Sequence, residues 1–546
     1  MSLISSNPAI ASKIDELWNK FWSGGISNPL TAIEQISYLL FMKKLDDKDQ
    51  ENIANAEFTG EHYDSIFEGI YVLPYDRLKS DATKEEIKLN EKEKGIDKHR
   101  LRWSQIKRIA PVTNMLPFVQ QYAFPFIKEL DGKDSPFSRH MANAVFMIPK
   151  ATLLSEAILA IDYIYEEIEK DSAEKGQDFQ DIQGDVYEML LSEIASAGKN
   201  GQFRTPRHII KLLVELVNPQ LGHKIADPAC GTGGFLLGAY QYMITHLNKN
   251  EAKKEPDEDG FVLNSKSASL TQDIKNILGQ SIQGFDIDQT MVRLGLMNLM
   301  MHGIDSPQID YKDTLSKSYI ETSEYDVVLA NPPFTGNIDK GDINEELKIN
   351  TTKSELLFIE RIYNMLKMGG TAGIIVPQGV LFSTSNAFID ARKLMIKDSE
   401  LKAVVTLPSG VFKPYAGVST AILIFTKGGQ SENIWFYDLE SDGYSLDDKR
   451  NKLDDYGDLQ DVIKHYKLRN EEDVNDRQAK FFSVPVKEII ENKYDLSFTR
   501  YQEKVYEELE YESPQIIIDK LLGTEEVEGL EQQIIKGLKE LKKILN

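Results

Sequence analysis

The chain has 546 residues, of which 41% are hydrophobic, and this length suffices for about two to four domains with buried cores. It carries 86 acidic and 63 basic residues, so its formal net charge of −23 excludes strong non-specific attraction to a polyanion. The chain has one cysteine, Cys230, which excludes a disulfide framework. Its eight histidines lack a metal-ligand spacing, so the sequence predicts no metal site.

The sequence also gives an expectation about location. Its first residues show no charged segment followed by an apolar one, and nowhere do about 18 apolar residues run together. We therefore expect a cytoplasmic chain without a membrane segment.

The N-terminal part of the sequence has helical periodicity. One helix face repeats apolar residues at helical spacing, namely Ile14, Leu17, Trp18, Phe21 and Trp22. Thr31 and Glu34 fit a capping box that would start a second helix. Residues 79–95 are rich in lysine and glutamate and predict a solvated loop or frayed helix. With further periodicity in residues 153–170, these patterns predict a helical domain over residues 1–175.

The next part of the chain alternates short β-branched runs with apolar helical segments. The runs are "KIADPAC", "IQGFDID", "YDVVLA", "TAGIIVP", "LKAVVTLP" and "TAILIF". This alternation predicts an α/β fold class with a doubly wound, mostly parallel, Rossmann-like sheet over residues 176–490. Ligands of such sheets bind beyond the carboxyl ends of the strands. Residues 491–546 are predicted to form a helical tail.

A glycine-rich loop follows the first of these strands. In "IADPACGTGGF" the strand ends at Asp227, and Gly231, Thr232, Gly233 and Gly234 lead into a helix. The ending of a P-loop is absent, and the last glycine of the dinucleotide fingerprint is missing. The pattern is similar to the loop of S-adenosylmethionine-dependent methyltransferases, in which an acidic residue faces the ammonium of the cofactor. A plain glycine-rich turn is the alternative interpretation.

Further residues at strand and helix ends fit the same ligand. Asp286 ends the strand "QGFDID", where an acidic residue can accept hydrogen bonds from ribose hydroxyls, and Asp313 in "DYKDTL" is suited to the adenine amino group. A single aspartate at such a place is usually a helix cap, but three in order favour a cofactor site. Upstream, Thr205 is predicted as an N-cap and Pro206 as the first helical residue, with Arg207 near a bound carboxylate. The alternative is a capped helix without a ligand.

The segment "YDVVLANPPF" has the residues needed to activate an exocyclic amine. The Asn331 side-chain oxygen and the Pro332 carbonyl can accept hydrogen bonds from the amine, while Pro332 and Pro333 fix the backbone and Phe334 stacks on an extruded base. Methylation at cytosine carbon 5 needs a cysteine nucleophile, and Cys230 lies in the glycine loop instead. Cytosine amino groups and glutamine side-chain amides remain possible acceptors.

Together, these motifs resemble the modification subunits of type I restriction-modification systems. The segments "GQFRTPR", "DPACGTGGF", "GFDID", "NPPF" and "LPSGVFKPYAGVSTAILIF" occur in that order, and the similarity spans roughly residues 10 to 480. The resemblance implies a DNA adenine-N6 methyltransferase that uses S-adenosyl-L-methionine. It also implies DNA, a specificity subunit, a second copy of the modification subunit and a restriction subunit as partners.

The resemblance assigns roles to individual residues. Asn331 to Phe334 would hold the target base, and cofactor binding would involve Gln202, Phe203, Arg204, Thr205, Pro206, Arg207, Gly231, Thr232, Gly233, Gly234 and Asp286. Two positions depart from the family pattern, because Asp286 stands where the family often has Glu and Arg204 where an aromatic residue is common. Phe412 or Tyr415 in "GVFKPYAG" would form a second aromatic wall for the base, although an aromatic residue after a strand is more often part of the core.

The sequence after the catalytic motifs predicts dependence on a partner. No second region rich in basic and aromatic residues is present to read bases, so we expect the chain not to find a DNA sequence alone. A C-terminal apolar stripe is predicted to bind a partner helix or its own domain, and comprises Val527, Leu530, Ile534, Leu538, Leu541 and Leu545. The alternatives are a stand-alone DNA amino-methyltransferase and a catalytically silent cofactor-binding scaffold.

Overall fold

A computed structural model describes residues 8–79, 81–130, 135–175, 184, 186–191, 205–247, 256–262, 270–414, 416–472, 474–503, 514–523 and 529–544. The predicted site residues Gln202, Phe203, Arg204 and Tyr415 lie outside these ranges. The chain forms two compact units, Met1–Tyr501 and Gln502–Asn546. Within the described ranges, no helix has the length and apolar character needed to cross a lipid bilayer.

The N-terminal region is helical, as predicted. Its helices are α1 (Pro8–Ser23), α2 (Pro29–Thr59), α3 (Lys84–Lys94), α4 (Trp103–Ile106), α5 (Met115–Phe118), α6 (Phe124–Ile127), α7 (Pro136–Met141) and α8 (Ala151–Lys175). A π-helical segment, Val119–Ala123, and 3-10 turns at Pro74–Asp76, Lys98–Leu101 and Val112–Asn114 connect them. Two short strands, β1 (Ile70–Tyr71) and β2 (Ile96–Asp97), pair antiparallel.

The start of α2 differs from the prediction. The Asn28 side chain accepts hydrogen bonds from the backbone N–H groups of Leu30 and Thr31, at 2.9 and 3.3 Å, and Pro29 occupies the first helical position. The predicted start at Thr31 is therefore wrong, because an asparagine cap followed by proline begins the helix two residues earlier. Glu34 is buried and bonds to other partners.

The second part of the chain forms one nine-stranded sheet. Its strands are β3 (Ile225–Asp227), β4 (Ile282–Asp286), β5 (Gln308–Tyr311), β6 (Tyr325–Ala330), β7 (Leu366–Pro377), β8 (Ser399–Leu407), β9 (Thr420–Lys427), β10 (Asn433–Asp438) and β11 (Phe481–Pro485). The order across the sheet is β11-β10-β8-β9-β7-β6-β3-β4-β5. Strands β3 to β7 pair in parallel, whereas β9 and β11 run antiparallel to their neighbours. The predicted α/β sheet is confirmed, and it is mixed.

Helices cover the sheet, and the second unit also contains helices. They are α9 (Arg207–Val217), α10 (Gly234–Leu247), α11 (Gln272–Ser281), α12 (Gln289–Met301), α13 (Ser354–Met365), α14 (Gly379–Phe382), α15 (Asn386–Lys397), α16 (Leu459–Leu468), α17 (Val486–Glu491) and α18 (Phe498–Tyr501). Residues 186–191 are also helical. The unit Gln502–Asn546 contains α19 (Pro514–Leu522) and α20 (Leu530–Ile544).

The N-terminal helices and the sheet share one core. Leu39 of α2, Leu296 of α12 and Ile309 of β5 belong to the same buried apolar cluster. At this contact the buried Arg293 donates from Nε to Glu34 Oε1 at 2.7 Å. The Tyr38 hydroxyl donates to the same Glu34 oxygen at 2.8 Å. This hydrogen-bonded ion pair fixes α2 against α12.

The strand order places the functional motifs at one edge of the sheet. It reverses at β3, whose neighbours are β4 on one side and β6 on the other. Parallel strands that flank such a switch point form a crevice beyond their carboxyl ends. The glycine loop follows β3, Asp286 ends β4, and Asn331 follows β6, so the three motifs meet at this crevice.

Candidate active site

The glycine loop connects β3 to α10 with two left-handed residues. Gly231 has a φ of 53° and Gly233 a φ of 78°, conformations that favour glycine. A Cβ on Gly231 would meet no atom within 4 Å, so the requirement there is backbone conformation rather than space. The Gly231 N–H donates to Asp286 Oδ2 at 2.9 Å, and this bond joins the loop to the end of β4.

Two acidic side chains lie under and beside this loop. Asp227 is buried, and its Oδ1 accepts from the Ala229 N–H at 3.0 Å. Burial raises the pKa of the Asp227 carboxyl to about 8, and the negative charge of Asp286 adds to the effect. Burial also raises the pKa of Asp286. Hydrogen bonds from the backbone N–H groups of Asp288 and Gly231 lower this pKa, but the effect of burial is larger. A positively charged group bound nearby would favour the ionised form of both carboxyls.

A cavity of about 700 Å³ opens at the carboxyl ends of these strands. The predicted residues on its wall are Gly231, Thr232, Asp286, Asp313, Asn331 and Pro333. Asp227, Gly233, Gly234, Pro332 and Phe334 do not line it. Asp227 supports the glycine loop from below, while Asp313 Oδ1 accepts from the Leu315 N–H at 2.9 Å and holds the turn after β5.

Sequence reasoning missed several residues of the cavity wall, among them the apolar Ile287 and Tyr311. Ile287 is 68% exposed and Tyr311 is 51% exposed, although both are large hydrophobic residues beside the sheet. Exposed apolar side chains in a concave site fit a flat, apolar ring. Their places in the sequence indicated that they belong to the site, because Ile287 directly follows the predicted Asp286 and Tyr311 ends the strand before Asp313.

Asn331 stands at the end of β6 with its amide held at one end. Its Nδ2 donates to Thr205 Oγ1 at 2.9 Å. Its Oδ1 is buried and has no hydrogen-bond partner among the residues that the structure describes. Leaving a buried acceptor unsatisfied costs about 1–3 kcal/mol. The free oxygen therefore marks a position for a donor outside the described residues, such as a bound ligand.

The helix that follows Thr205 begins differently from the prediction. Helix α9 starts at Arg207, and Pro206 takes the N-cap position without a side-chain cap. The predicted N-cap role of Thr205 is thus wrong, because its hydroxyl bonds to Asn331. Arg207 Nε lies 2.6 Å from Oε2 of the buried Glu188, so its charge already has a carboxylate partner.

Phe334 and Phe412, the two predicted aromatic residues that the structure describes, lie together. Their ring centroids are 5.4 Å apart and the rings are nearly perpendicular, at 89°. Both side chains are buried. Because each ring is covered in this state, stacking of a base requires a movement of one of the segments that carry them. Their stacking role stays a prediction.

Comparisons with known proteins identify related chains. The methylase subunit of the EcoEI type I restriction enzyme of Escherichia coli is 34% identical over 333 residues, which cover 59% of this chain and 62% of that relative. The EcoKI methylase subunit of Escherichia coli (strain K12) is 32% identical over 275 residues, covering 47% of this chain and 48% of that relative. The matched segments thus span less than two thirds of the length of these relatives.

Solved structures and family profiles agree with these relatives. A chain from a structure on complex assembly and conformational transition of the type I restriction-modification system is 25% identical, has a TM-score of 0.65 and covers 98% of both chains. The methyltransferase subunit from Streptococcus thermophilus shares the fold, with 19% identity, a TM-score of 0.61 and coverage of 90% of this chain and 100% of that chain. The profile of the HsdM N-terminal domain matches residues 10–161, and that of N-6 DNA Methylase matches residues 178–510. The chain therefore belongs to the N-6 DNA methylase family.

Proposed function

We propose that the chain transfers a methyl group from S-adenosylmethionine to the exocyclic amino group of adenine in a specific DNA sequence. The observation that carries this proposal is at the wall of the cavity, where the buried Oδ1 of Asn331 has no hydrogen-bond partner among the described residues. The amino group of adenine is a poor nucleophile because its lone pair is delocalised into the ring. When a fixed acceptor receives a hydrogen bond from the amino group, the lone pair of the nitrogen is directed at the methyl donor.

The residues around the cavity fit the cofactor. When bound, S-adenosylmethionine supplies an electrophilic methyl group on a sulfonium centre. Its positive charges match Asp286 and the underlying Asp227, whose raised pKa values fall in the presence of a cation. Ile287 and Tyr311 offer apolar surface for the adenine ring, and Gly231 leaves room for close backbone approach. We assign Thr232 and Asp313 to the same site because they line the cavity.

The NPPF segment would orient the target base. Asn331 Oδ1 and the Pro332 carbonyl accept the two hydrogen bonds of the amine, and the fixed φ angles of Pro332 and Pro333 hold these acceptors in place. The base must leave the duplex to reach them, and Phe334 would stack on its face once the segment of Phe334 or of Phe412 has moved. The chain's contribution to the reaction is thus orientation and hydrogen bonding at the acceptor nitrogen.

We further propose that the chain works as the modification subunit of a type I restriction-modification complex. A formal net charge of −23 disfavours sequence-selective DNA binding by the chain alone. A specificity subunit would supply base recognition, with a second modification subunit and a restriction subunit as further partners. The C-terminal unit offers apolar surface for such contacts, since Leu530, Ile534, Leu538 and Leu541 of α20 are exposed.

Sequencing that detects modified bases tests the proposal directly. DNA would be taken from cells without endogenous adenine methylation that express the chain with or without its specificity subunit. We expect one sequence motif to carry methylated adenine only when both are present, and no methylation with Asn331→Ala. Methylated cytosine in that motif would contradict adenine as the acceptor. Sequence-specific methylation by the chain alone would contradict the subunit assignment.

A further inference from the structure

We propose that Thr205 is a positioning residue that sets the orientation of the Asn331 amide, an inference that rests on the proposed function. Thr205 Oγ1 accepts the hydrogen bond from Asn331 Nδ2 at 2.9 Å, and the Thr205 side chain is buried. With Nδ2 bound in this way, Oδ1 is the end of the amide that has no partner within the described part of the chain.

The orientation of this amide decides whether the site can act. An amide presents an acceptor at one end and two donors at the other. If Asn331 turned by half a rotation, its NH2 group would face the amino group of the base, and two donors would oppose each other. In the structure the Thr205 hydroxyl accepts from Nδ2, and this bond fixes the amide with Oδ1 available for the substrate.

The following proline restricts the backbone conformation of Thr205. Thr205 precedes Pro206, and a residue before proline is restricted to extended conformations. Pro206 in turn begins the first turn of α9, since its carbonyl accepts from the N–H groups of Ile209 and Ile210, both at 3.0 Å. The position of Thr205 therefore follows the position of α9.

A buried polar cluster fixes the first turn of α9. His208 Nε2 lies 2.8 Å from Asp442 Oδ2, and Arg450 also contacts this carboxylate. The Tyr444 ring stacks on His208, with centroids 4.4 Å apart and 16° between the planes. The Tyr444 hydroxyl donates to Asp259 Oδ1 at 2.8 Å. Residues of two distant segments thus hold the helix one turn from Thr205.

A second set of contacts, made by Lys211, also anchors α9. Lys211, also on α9, donates to Asp257 at 2.6 Å and to Asp259 at 3.1 Å. The same Asp259 binds Tyr444 of the first cluster. These contacts hold α9, and Thr205 with it, in place, as a preorganised site requires.

The test compares Thr205→Val and Thr205→Ala with Thr205→Ser. Valine keeps the size of threonine but has no acceptor, alanine removes the hydroxyl without placing a methyl group against the amide, and serine keeps the acceptor. Each chain would be assembled with the specificity subunit and mixed in excess over unmethylated DNA with labelled S-adenosylmethionine. The readouts are the single-turnover rate of adenine methylation, cofactor affinity by calorimetry and the melting temperature.

We expect the valine and alanine variants to lose about a hundredfold in rate, as a misplaced reacting group does. The melting temperature stays at the wild-type level, any loss of cofactor affinity is much smaller than the loss of rate, and serine restores most of the lost rate. A wild-type rate in the valine and alanine variants, or a loss of cofactor affinity equal to the loss of rate, overturns the positioning role. If the wild-type complex methylates no adenine, the proposed function fails. If the wild-type complex is active and the variants match its rate, only the positioning role fails.

Discussion

The buried Asp227 predicts how the stability of the ligand-free chain depends on pH. Burial raises the pKa of this carboxyl in the folded chain to about 8, against an ordinary value of 3.8. The folded state therefore binds this proton more tightly than the unfolded state does. The stabilising contribution of Asp227 is complete below its ordinary pKa and decreases as the pH rises toward 8. At 1.36 kcal/mol per pKa unit, the loss across this window amounts to about 6 kcal/mol.

Asp227→Asn removes this titration and retains the shape of the side chain. The stability advantage of the variant over the wild type should grow between about pH 4 and pH 8 and stay constant above the folded pKa of about 8. Denaturant unfolding at intervals of pH measures the difference, and Asp15→Asn, at an exposed aspartate, is the matched control. Saturating S-adenosylmethionine should shrink the difference, because a bound cation favours the ionised carboxylate. A difference that is independent of pH would refute the burial argument.

Three further substitutions test separate parts of the site. Asn331→Ala should abolish methyl transfer while calorimetry shows unchanged cofactor affinity, because Asn331 contacts the acceptor; activity within a few fold of wild type would remove the amine-activation mechanism. Asp286→Ala should weaken cofactor binding by about 1–3 kcal/mol through lost charge-assisted hydrogen bonds, and an unchanged dissociation constant would refute that assignment. Asp442→Ala should lower the free energy of unfolding by about 3–5 kcal/mol, because it leaves Arg450 and His208 without their shared buried carboxylate; a wild-type denaturation curve would show that the cluster does not hold α9.

The sequence predicted the parts of the site that depend on local order. Each of Asp227, Asp286 and Asn331 ends or follows a short apolar strand, and carboxyl ends of neighbouring parallel strands meet at one edge. Position along the chain was therefore enough to bring these side chains together. The same reasoning predicted the six strands from "KIADPAC" to "TAILIF", since buried strands read as continuous apolar runs.

The parts that were missed depend on contacts between distant segments. Thr205 and Asn331 are 126 residues apart, so local pattern favoured an N-cap for Thr205 and could not indicate its bond to the amide. The ion pair between Arg207 and Glu188 was missed for the same reason. Strand direction was also hidden, because an antiparallel strand such as β9 inside a covered sheet has the same apolar run as its parallel neighbours.

The C-terminal unit gives the prediction that concerns assembly. The predicted stripe includes Ile534, Leu538 and Leu541 of α20, and each is more than half exposed, at 60%, 62% and 58%. Val527 and Leu545 of the same stripe lie outside the described residues. Exposed leucine and isoleucine side chains at helical spacing gain free energy when a partner helix covers them.

Replacing Ile534, Leu538 and Leu541 together with glutamate should prevent co-elution with the specificity subunit in size-exclusion chromatography. Burying three carboxylates at the contact costs more than the apolar surface contributes. Gln532→Glu with Lys539→Glu is the control, because helical periodicity places these residues on the opposite side of α20, and it should co-elute normally. Deletion of residues 524 to 546 should act like the triple variant and leave cofactor binding intact. Full co-elution of the triple variant would show that α20 is not the docking helix, whereas loss of binding in the control would assign the effect to charge rather than to the apolar stripe.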